Sequence, residues 1–296
     1  MGKVEQLLRG AVDLHVHSGP ELIDRSLNHV EACQDAMAAG MKAIVLKDQH
    51  GTTANLTFFI QEYVIKDAPF KVFGGIPLNN TVGGVNPRVV EAAIGYGAKI
   101  VWMPTLSAQN HKEGHSKQTP AAQATMPKPK KSLASDPPLA ILDGNGRSLP
   151  ELKDICRMIA QADIILASGH ISKREMDILI DEAKAQGVKK IMINHPQHLY
   201  GASLDDMREY AKAGVYLEHG CALIHSNKLT YEYIFEMIKA GGAEQSIICS
   251  DLGQIGRPRP VEGIRLTVEA LLKLGLTQAE LKTVLCDNPA QLLNLD

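Results

Sequence analysis

The chain has 296 residues, of which 45% are hydrophobic, and its formal net charge is −2 with a pI near 6.6. A chain of this size buries a full core, either as one large domain or as two small ones. Because the net charge is close to zero, the chain lacks the excess of positive charge that nucleic-acid binding requires, and we expect no nucleic-acid partner.

The cysteines and the apolar runs restrict the cellular setting. The five cysteines are widely spaced and odd in number, which indicates neither a disulfide framework nor a structural zinc knuckle. No apolar run approaches the roughly 18 residues that span a bilayer, and the N-terminal residues lack the apolar stretch of a signal peptide. We therefore expect a soluble, cytoplasmic protein without a membrane partner.

Short β-rich apolar runs recur along the chain, each followed by an amphipathic helical stretch. They begin near Ala11, Ala43, Lys71, Ala98, Ile164, Lys190, Val215 and Ser246. Most are about 25–32 residues apart, the length of one strand, one helix and two loops. Eight such units predict an α/β protein with a (β/α)8 TIM barrel. A doubly wound open sheet is the alternative, but no Gly-x-Gly-x-x-Gly follows the first run.

Helix boundaries support the same division. Asn86 and the following proline are typical of an N-cap and a first helical position. Ser172 with Glu175, and Thr277 with Glu280, predict capping boxes. These signals place helices between the predicted strands.

The fourth and fifth runs are about 65 residues apart, more than one unit needs. We assign the excess to an insertion at 107–150 within a single domain that covers 1–296. The segment is polar and rich in proline, with prolines at positions 120, 127, 129, 137 and 138 among others, so we expect no regular helix there. It leaves the fourth strand at its carboxyl end, where barrel enzymes keep their chemistry, and this position predicts a lid or a pocket wall.

Potential metal ligands end four of the predicted strands. His15 and His17 close the first run, and side chains two residues apart on a strand point to one face. His170 and His195 end the fifth and sixth runs, and Asp251 ends the eighth. Imidazole and carboxylate ligands without a thiolate favour a divalent ion, zinc first, with manganese, iron or cobalt as alternatives.

With these residues the chain resembles the amidohydrolase superfamily of metal-dependent barrel hydrolases over nearly its whole length. The shared features are His-x-His on the first strand, single histidines closing the fifth and sixth, aspartate on the eighth, and Asn-Pro-Ala-Gln-Leu-Leu at 288–293. The resemblance implies that His15, His17 and Asp251 hold one ion. It implies that the other two histidines hold a second ion or flank the first.

The resemblance also implies catalytic roles for Asp251 and His195. A divalent ion lowers the pKa of bound water from about 15.7 toward 7. Asp251 then accepts the proton and delivers it to the leaving group, while His195 or His170 donates a hydrogen bond to the developing oxyanion. We expect a metal-dependent hydrolase of small molecules that acts on an amide, cyclic amide, ester or lactone bond.

The fourth strand departs from the superfamily pattern. Two-metal members usually bridge their ions with a lysine carbamate or a glutamate at its end, whereas residues 100–105 contain neither lysine nor glutamate. The site therefore holds one ion, or Lys47, Asp48 or His50 supplies the bridge. Pairing of Lys47 with a carboxylate is the competing interpretation.

Other side chains at the predicted rim are candidate substrate contacts, namely Lys47, His50, Trp102, His219 and Arg257. A guanidinium group near a metal favours an anionic substrate group. Trp102 either packs on a substrate ring or fills the barrel mouth. Glu218, next to His219, is expected to support the ligands or the substrate, and His111 in the insertion is expected to be exposed.

Alternative functions remain open. Asp13-Leu-His-Val-His17 with Ser250-Asp251 is similar to phosphoesterases of the polymerase-and-histidinol-phosphatase type, but Gly253 stands where those enzymes carry histidine, and they build seven strands. A single-metal decarboxylase would use nearly the same ligands, and a catalytically silent barrel would not need both Asp251 and the histidines. A homo-oligomer is also open, although no apolar surface stripe is evident in the sequence.

Overall fold

The computed structural model describes residues 2–117, 129–130, 134–198 and 200–295. The strands are Val12–His17 (β1), Ala43–Lys47 (β2), Lys71–Pro77 (β3), Ile100–Trp102 (β4), Ile165–Ala167 (β5), Ile191–Asn194 (β6), Tyr216–Gly220 (β7) and Ser246–Cys249 (β8). Each strand pairs in parallel with the next, in the order β1 to β8. A parallel bridge between Val16 and Leu252 joins the last strand to the first. The predicted (β/α)8 barrel is confirmed.

Helices follow the strands as the sequence predicted. They are Lys3–Leu8 (α1), His29–Ala38 (α2), Ala54–Tyr63 (α3), Pro87–Gly95 (α4), Gln109–Ser116 (α5), Pro150–Ala162 (α6), Lys173–Ala185 (α7), Leu204–Lys212 (α8), Tyr231–Gly241 (α9), Pro260–Leu274 (α10), Gln278–Lys282 (α11) and Asn288–Leu292 (α12). Asn86 caps α4, and Ser172 and Thr277 form capping boxes at the starts of α7 and α11. These helix starts are confirmed.

Two apolar layers hold the barrel together. One lies between the strands and the helices, and the other fills the barrel interior with side chains such as Leu14, Ile100 and Trp102. The C-terminal helix α12 contributes Leu292 to the inner layer. Asn288 anchors this helix, because its Nδ2 donates hydrogen bonds of 2.7 and 2.8 Å to carbonyl oxygens next to β8.

An irregularity in β1 decides which of its side chains face the interior. Val12 and Leu14 belong to the inner layer, but the register with β2 shifts between Asp13 and Val16, and Val16 belongs to the outer layer. Strict alternation along β1 would have placed Leu14 on the inner face and His15 on the outer face. The shift in register instead turns both His15 and His17 to the inner face.

Asp13 holds this irregularity in place. Its Oδ1 accepts hydrogen bonds from the backbone N–H groups of His15, at 3.0 Å, and of Ser250, at 3.1 Å. One carboxylate oxygen therefore joins the bulged strand to the end of β8. Bulges of this kind re-aim side chains next to functional sites.

The insertion corrects one expectation. Helix α5 lies within 107–150, where we expected no regular helix, because Gln109–Ser116 contains no proline. The insertion also contains a turn around Asp143, with an antiparallel bridge between Leu142 and Ser148. Residues 118–128 and 131–133 lie outside the described residues, so the lid or wall remains a prediction.

The helical surface carries an aromatic stripe that we did not identify from the sequence. Phe58, Phe59 and Tyr63 on α3 are 58%, 60% and 79% exposed, and their rings pack on one another with centroids 5.5 and 6.3 Å apart. Helix α3 contacts the core through other positions, including Ala54 and Ile60. Among the described residues, no helix combines the length and the apolar character needed to cross a membrane.

Candidate metal centre

Three potential ligand atoms converge at the carboxyl end of the barrel. The Nε2 atoms of His15 and His17 each lie 3.2 Å from Oδ1 of Asp251. An ion with ligands at about 2.1 Å holds neighbouring ligand atoms roughly 3.0–3.4 Å apart. The spacing therefore fits one divalent ion bound by these three side chains.

The protonation states of the three residues suit metal binding. Burial lowers the pKa of His15 to about 3 and that of His17 to about 4, so both imidazoles are neutral at pH 7 and keep a lone pair. Burial alone would raise the pKa of Asp251, but the adjacent imidazoles hold it well below its usual value. Neutral imidazole and ionised carboxylate are the forms that ligate a metal.

The end of β8 folds tightly onto β1 and thereby places Asp251. Its backbone N–H donates to the carbonyl of His15 at 2.9 Å, and the N–H of His17 donates to the carbonyl of Leu252 at 2.9 Å. Gly253 follows at a φ of 132°, and a Cβ there would come within 1.7 Å of the carbonyl oxygen of His17. Only glycine permits this close approach.

Glu218 lies at the centre of the site, whereas its sequence position predicted only a supporting role. Its Oε1 lies 2.8 Å from Nδ1 of His15 and 3.7 Å from Nδ1 of His195, and its other oxygen accepts from Asn194. Burial raises its pKa. A hydrogen bond at Nδ1 leaves Nε2 of His15 available to a metal. His15, His195 and Glu218 also form a ligand group of their own, with atoms within 4.8 Å of one another.

Lys47 lies beside the same imidazole. Its Nζ is 3.0 Å from Nε2 of His15 and 4.8 Å from the centroid of the Trp102 ring. Burial lowers the pKa of Lys47 to about 8. Trp102 is fully buried and forms the floor of the site, where Gly75 leaves room for the indole.

The two later histidines have different surroundings. Nε2 of His195 lies 3.5 Å from Oδ2 of Asp251, so the structure brings His195 to the cluster. His170 instead places its Nδ1 2.8 Å from Nδ1 of His111 on α5. The expected exposure of His111 is wrong, because its imidazole stacks on that of His170, with ring centroids 4.8 Å apart, and is buried.

The other candidates are dispersed around the site. His219 follows Glu218 on β7, points to the opposite face, and lies 3.3 Å from Oγ of Ser246, so the structure does not bring it to the cluster. His50 lies with Glu21 and Asp48 on the neighbouring loops. Arg257 is half-buried, and burial lowers its pKa while the charge of Asp251 opposes that shift.

Alternation along β7 was the signal that could have identified Glu218. Its neighbour Leu217 packs in the outer layer, so residue 218 faces the interior. The adjacency of Glu218 and His219 in the sequence instead indicated a single polar pair. In the structure only the glutamate reaches the metal-ligand candidates.

Comparison with known proteins identifies a family and a fold. A family model described as a family of unknown function, DUF6282, matches residues 10–218. None of the curated proteins compared with the chain matches it. The matched range includes β1 through Glu218 and stops before Asp251.

Solved structures share the barrel at low sequence identity. An amidohydrolase from Pseudomonas aeruginosa is 13% identical with a TM-score of 0.65, covering 99% of this chain and 98% of its own. A phosphotriesterase homology protein from Escherichia coli is 14% identical, with a TM-score of 0.57 and coverage of 96% and 98%. A 2,6-dihydroxybenzoate decarboxylase from Rhizobium is 11% identical, with a TM-score of 0.52 and coverage of 97% and 99%. The resemblance to the amidohydrolase superfamily is confirmed at the level of the fold.

Proposed function

We propose that this chain, which belongs to the DUF6282 family of unknown function, is a metal-dependent hydrolase of small molecules. Its substrate bond is the C–N bond of an amide or cyclic amide, or an ester or lactone bond. The convergence of His15, His17 and Asp251, with 3.2 Å between their ligand atoms, carries this proposal.

The donor set favours zinc, with manganese, iron or cobalt as alternatives, because it combines two imidazoles with one carboxylate and no thiolate. His15, His17 and Asp251 would hold the ion, and His195 is close enough to join them or to face the substrate. When bound, a divalent ion supplies water activation at neutral pH and polarisation of the substrate oxygen.

We assign to Asp251 the role of general base and general acid for the attacking water. Its side chain is 15% exposed, whereas His15 and His17 are almost completely enclosed. The carboxylate therefore reaches the mouth of the barrel and can accept a proton there and return it to the leaving group. We assign to His195, whose Nε2 lies 3.5 Å from Oδ2 of Asp251, the role of donating an N–H to negative charge that develops on the substrate.

Cationic side chains around the mouth favour a substrate with an anionic group. The charge of Asp251 acts on both Arg257 and Lys228 and opposes the fall in pKa that burial causes in each. Nζ of Lys228 also lies 3.2 Å from Nε2 of His198. Guanidinium and ammonium groups in this arrangement suit a carboxylate or a phosphate.

A substrate panel tests the proposal. The purified chain is loaded with Zn²⁺ or Mn²⁺ and assayed against amides, cyclic amides, esters, lactones and phosphoesters, with and without a carboxylate substituent, and released CO₂ is measured in parallel. We expect metal-dependent hydrolysis of a C–N, ester or lactone bond, faster for the carboxylate-bearing member of each pair. Turnover of phosphoesters alone, or CO₂ release without hydrolysis, would support the alternative reactions and overturn this one.

A further inference from the structure

A second group of ligand-type side chains lies on the loops that follow β1 and β2. Oε1 of Glu21 lies 3.4 Å from Nδ1 of His50, and Oδ1 of Asp48 lies 3.9 Å from the same nitrogen. One ligand atom from each of the three side chains falls within 4.8 Å of the others. None of these residues belongs to the His15, His17 and Asp251 set.

The imidazole of His50 is the unusual member of this group. Its side chain is only 10% exposed, and its Nδ1 is buried without a hydrogen-bond partner in the described part of the chain. A buried polar atom that lacks a partner is costly. Because two carboxylate oxygens face this nitrogen, a bound cation would satisfy all three atoms at once.

Hydrogen bonds hold the carboxylates of Glu21 and Asp48 in position but leave some of their oxygen lone pairs free. Oε2 of Glu21 accepts from Nε of Arg25 at 2.6 Å, and Oε1 accepts from the backbone N–H of Gln49 at 3.0 Å. Oδ1 of Asp48 accepts from the backbone N–H of His50 at 2.7 Å. A carboxylate oxygen has two lone pairs, so each remains able to bind a cation.

The charges also favour a cation. Arg25 compensates one of the two carboxylates, so Glu21, Asp48 and Arg25 together leave one negative charge beside the imidazole of His50. An anion would meet a net negative pocket, whereas a divalent cation would be attracted. Two carboxylates with one imidazole suit Zn²⁺ or Mn²⁺ better than Ca²⁺, which prefers oxygen ligands alone.

We propose that Glu21, Asp48 and His50 form a second divalent-cation site, separate from the centre at His15, His17 and Asp251. An ion there ties the loop after β1 to the loop after β2. It also holds Glu21, which binds Arg25 and so fixes the guanidinium that lies 3.3 Å from Nδ1 of His17.

Zinc stoichiometry tests this site independently of any enzymatic activity. Full-length protein is stripped with a chelator and dialysed against Zn²⁺, and bound zinc per chain is measured by mass spectrometry. We expect about two ions in the wild type and about one in the His15→Ala, His17→Ala variant. We also expect about one in His50→Ala, and none when all three substitutions are combined.

Two further variants keep the result decisive. Asp48→Asn preserves the shape of the side chain, so it decides the matter if circular dichroism shows that His50→Ala fails to fold. His225→Ala is the matched control, because Nε2 of His225 is also buried without a partner in the described ranges but belongs to no three-ligand group there.

Two results would overturn the proposal. One is wild-type zinc content in His50→Ala or Asp48→Asn, and the other is the absence of zinc from the His15→Ala, His17→Ala variant. Unchanged zinc content in the His15→Ala, His17→Ala variant would instead refute the hydrolase centre and leave this second site standing.

Discussion

The two sides of the barrel mouth use histidine in different ways. On the side formed by β1 and β8, His15 and His17 face the carboxylate of Asp251. On the side formed by β5 and the insertion, His170 faces another imidazole, that of His111. A position at a strand end brings a histidine to the rim, but the neighbouring side chain determines whether it can act as a ligand to a cation.

The charge states of the side chains also differ between the two sides of the barrel mouth. Asp251 stays ionised beside neutral imidazoles, which leaves a negative charge for a metal to bind. Burial lowers the pKa of His111 to about 3 and holds that of His170 well below its usual value. The second pair is therefore neutral, with one imidazole donating its N–H to the other.

Removing both β1 histidines should have the largest effect. In His15→Ala, His17→Ala one ion per chain should be lost, together with all metal-dependent activity, because only one ligand of the three remains. Metal analysis and the substrate panel check this result. The matched variant is His111→Ala, His170→Ala, and equal ion loss in both would show that the two sides do not differ.

Asp251→Asn should come next. The amide keeps the shape of the side chain but cannot accept the proton, so kcat should fall by about 10²–10⁴-fold, the range typical of a lost general base. Steady-state kinetics on the best substrate of the panel measures this change, and circular dichroism confirms that the fold is retained. Wild-type turnover would rule out Asp251 as the base.

Asp13→Ala should break the support of the β1 irregularity. Two backbone N–H groups, those of His15 and Ser250, lose their acceptor, so the free energy of unfolding should fall by about 1–3 kcal/mol. Urea denaturation measures the difference, and a weaker zinc affinity should accompany it. Asp13→Asn, which keeps Oδ1, is the control, and equal losses in both variants would exclude this role.

The smallest effect is expected on the insertion side. His111→Ala removes one hydrogen bond from His170, and the free energy of unfolding should fall by about 1 kcal/mol. The zinc content should not change. A loss of bound zinc in this variant would mean that the His111 and His170 pair belongs to a metal site. The two sides of the barrel mouth would then not differ in how they use histidine.

Much of the fold follows from local sequence patterns. Eight apolar runs separated by capped helices predict the barrel, because each signal, such as Asn86 before Pro87, acts within a few residues. The carboxyl ends of parallel strands share one rim, so the convergence of His15, His17 and Asp251 could be expected before any coordinates.

The remaining features depend on contacts between distant segments. The inward turn of His15 requires a β1 irregularity held from β8, and the position of His170 depends on His111, 59 residues earlier. Glu218 reaches His15 across 203 residues of sequence. No local pattern encodes such pairings, so the sequence identified the strand-end residues but not the partners that distinguish them.

The amino-terminal end of the barrel is closed, and this closure affects how a substrate would enter and leave. Ala290, Leu292 and Leu293 close its amino-terminal end from within, and Asn288 fastens that closure to β8. The described part of the barrel is therefore blind-ended. A substrate and its product would share one opening, so departure of the product would compete with arrival of the next substrate.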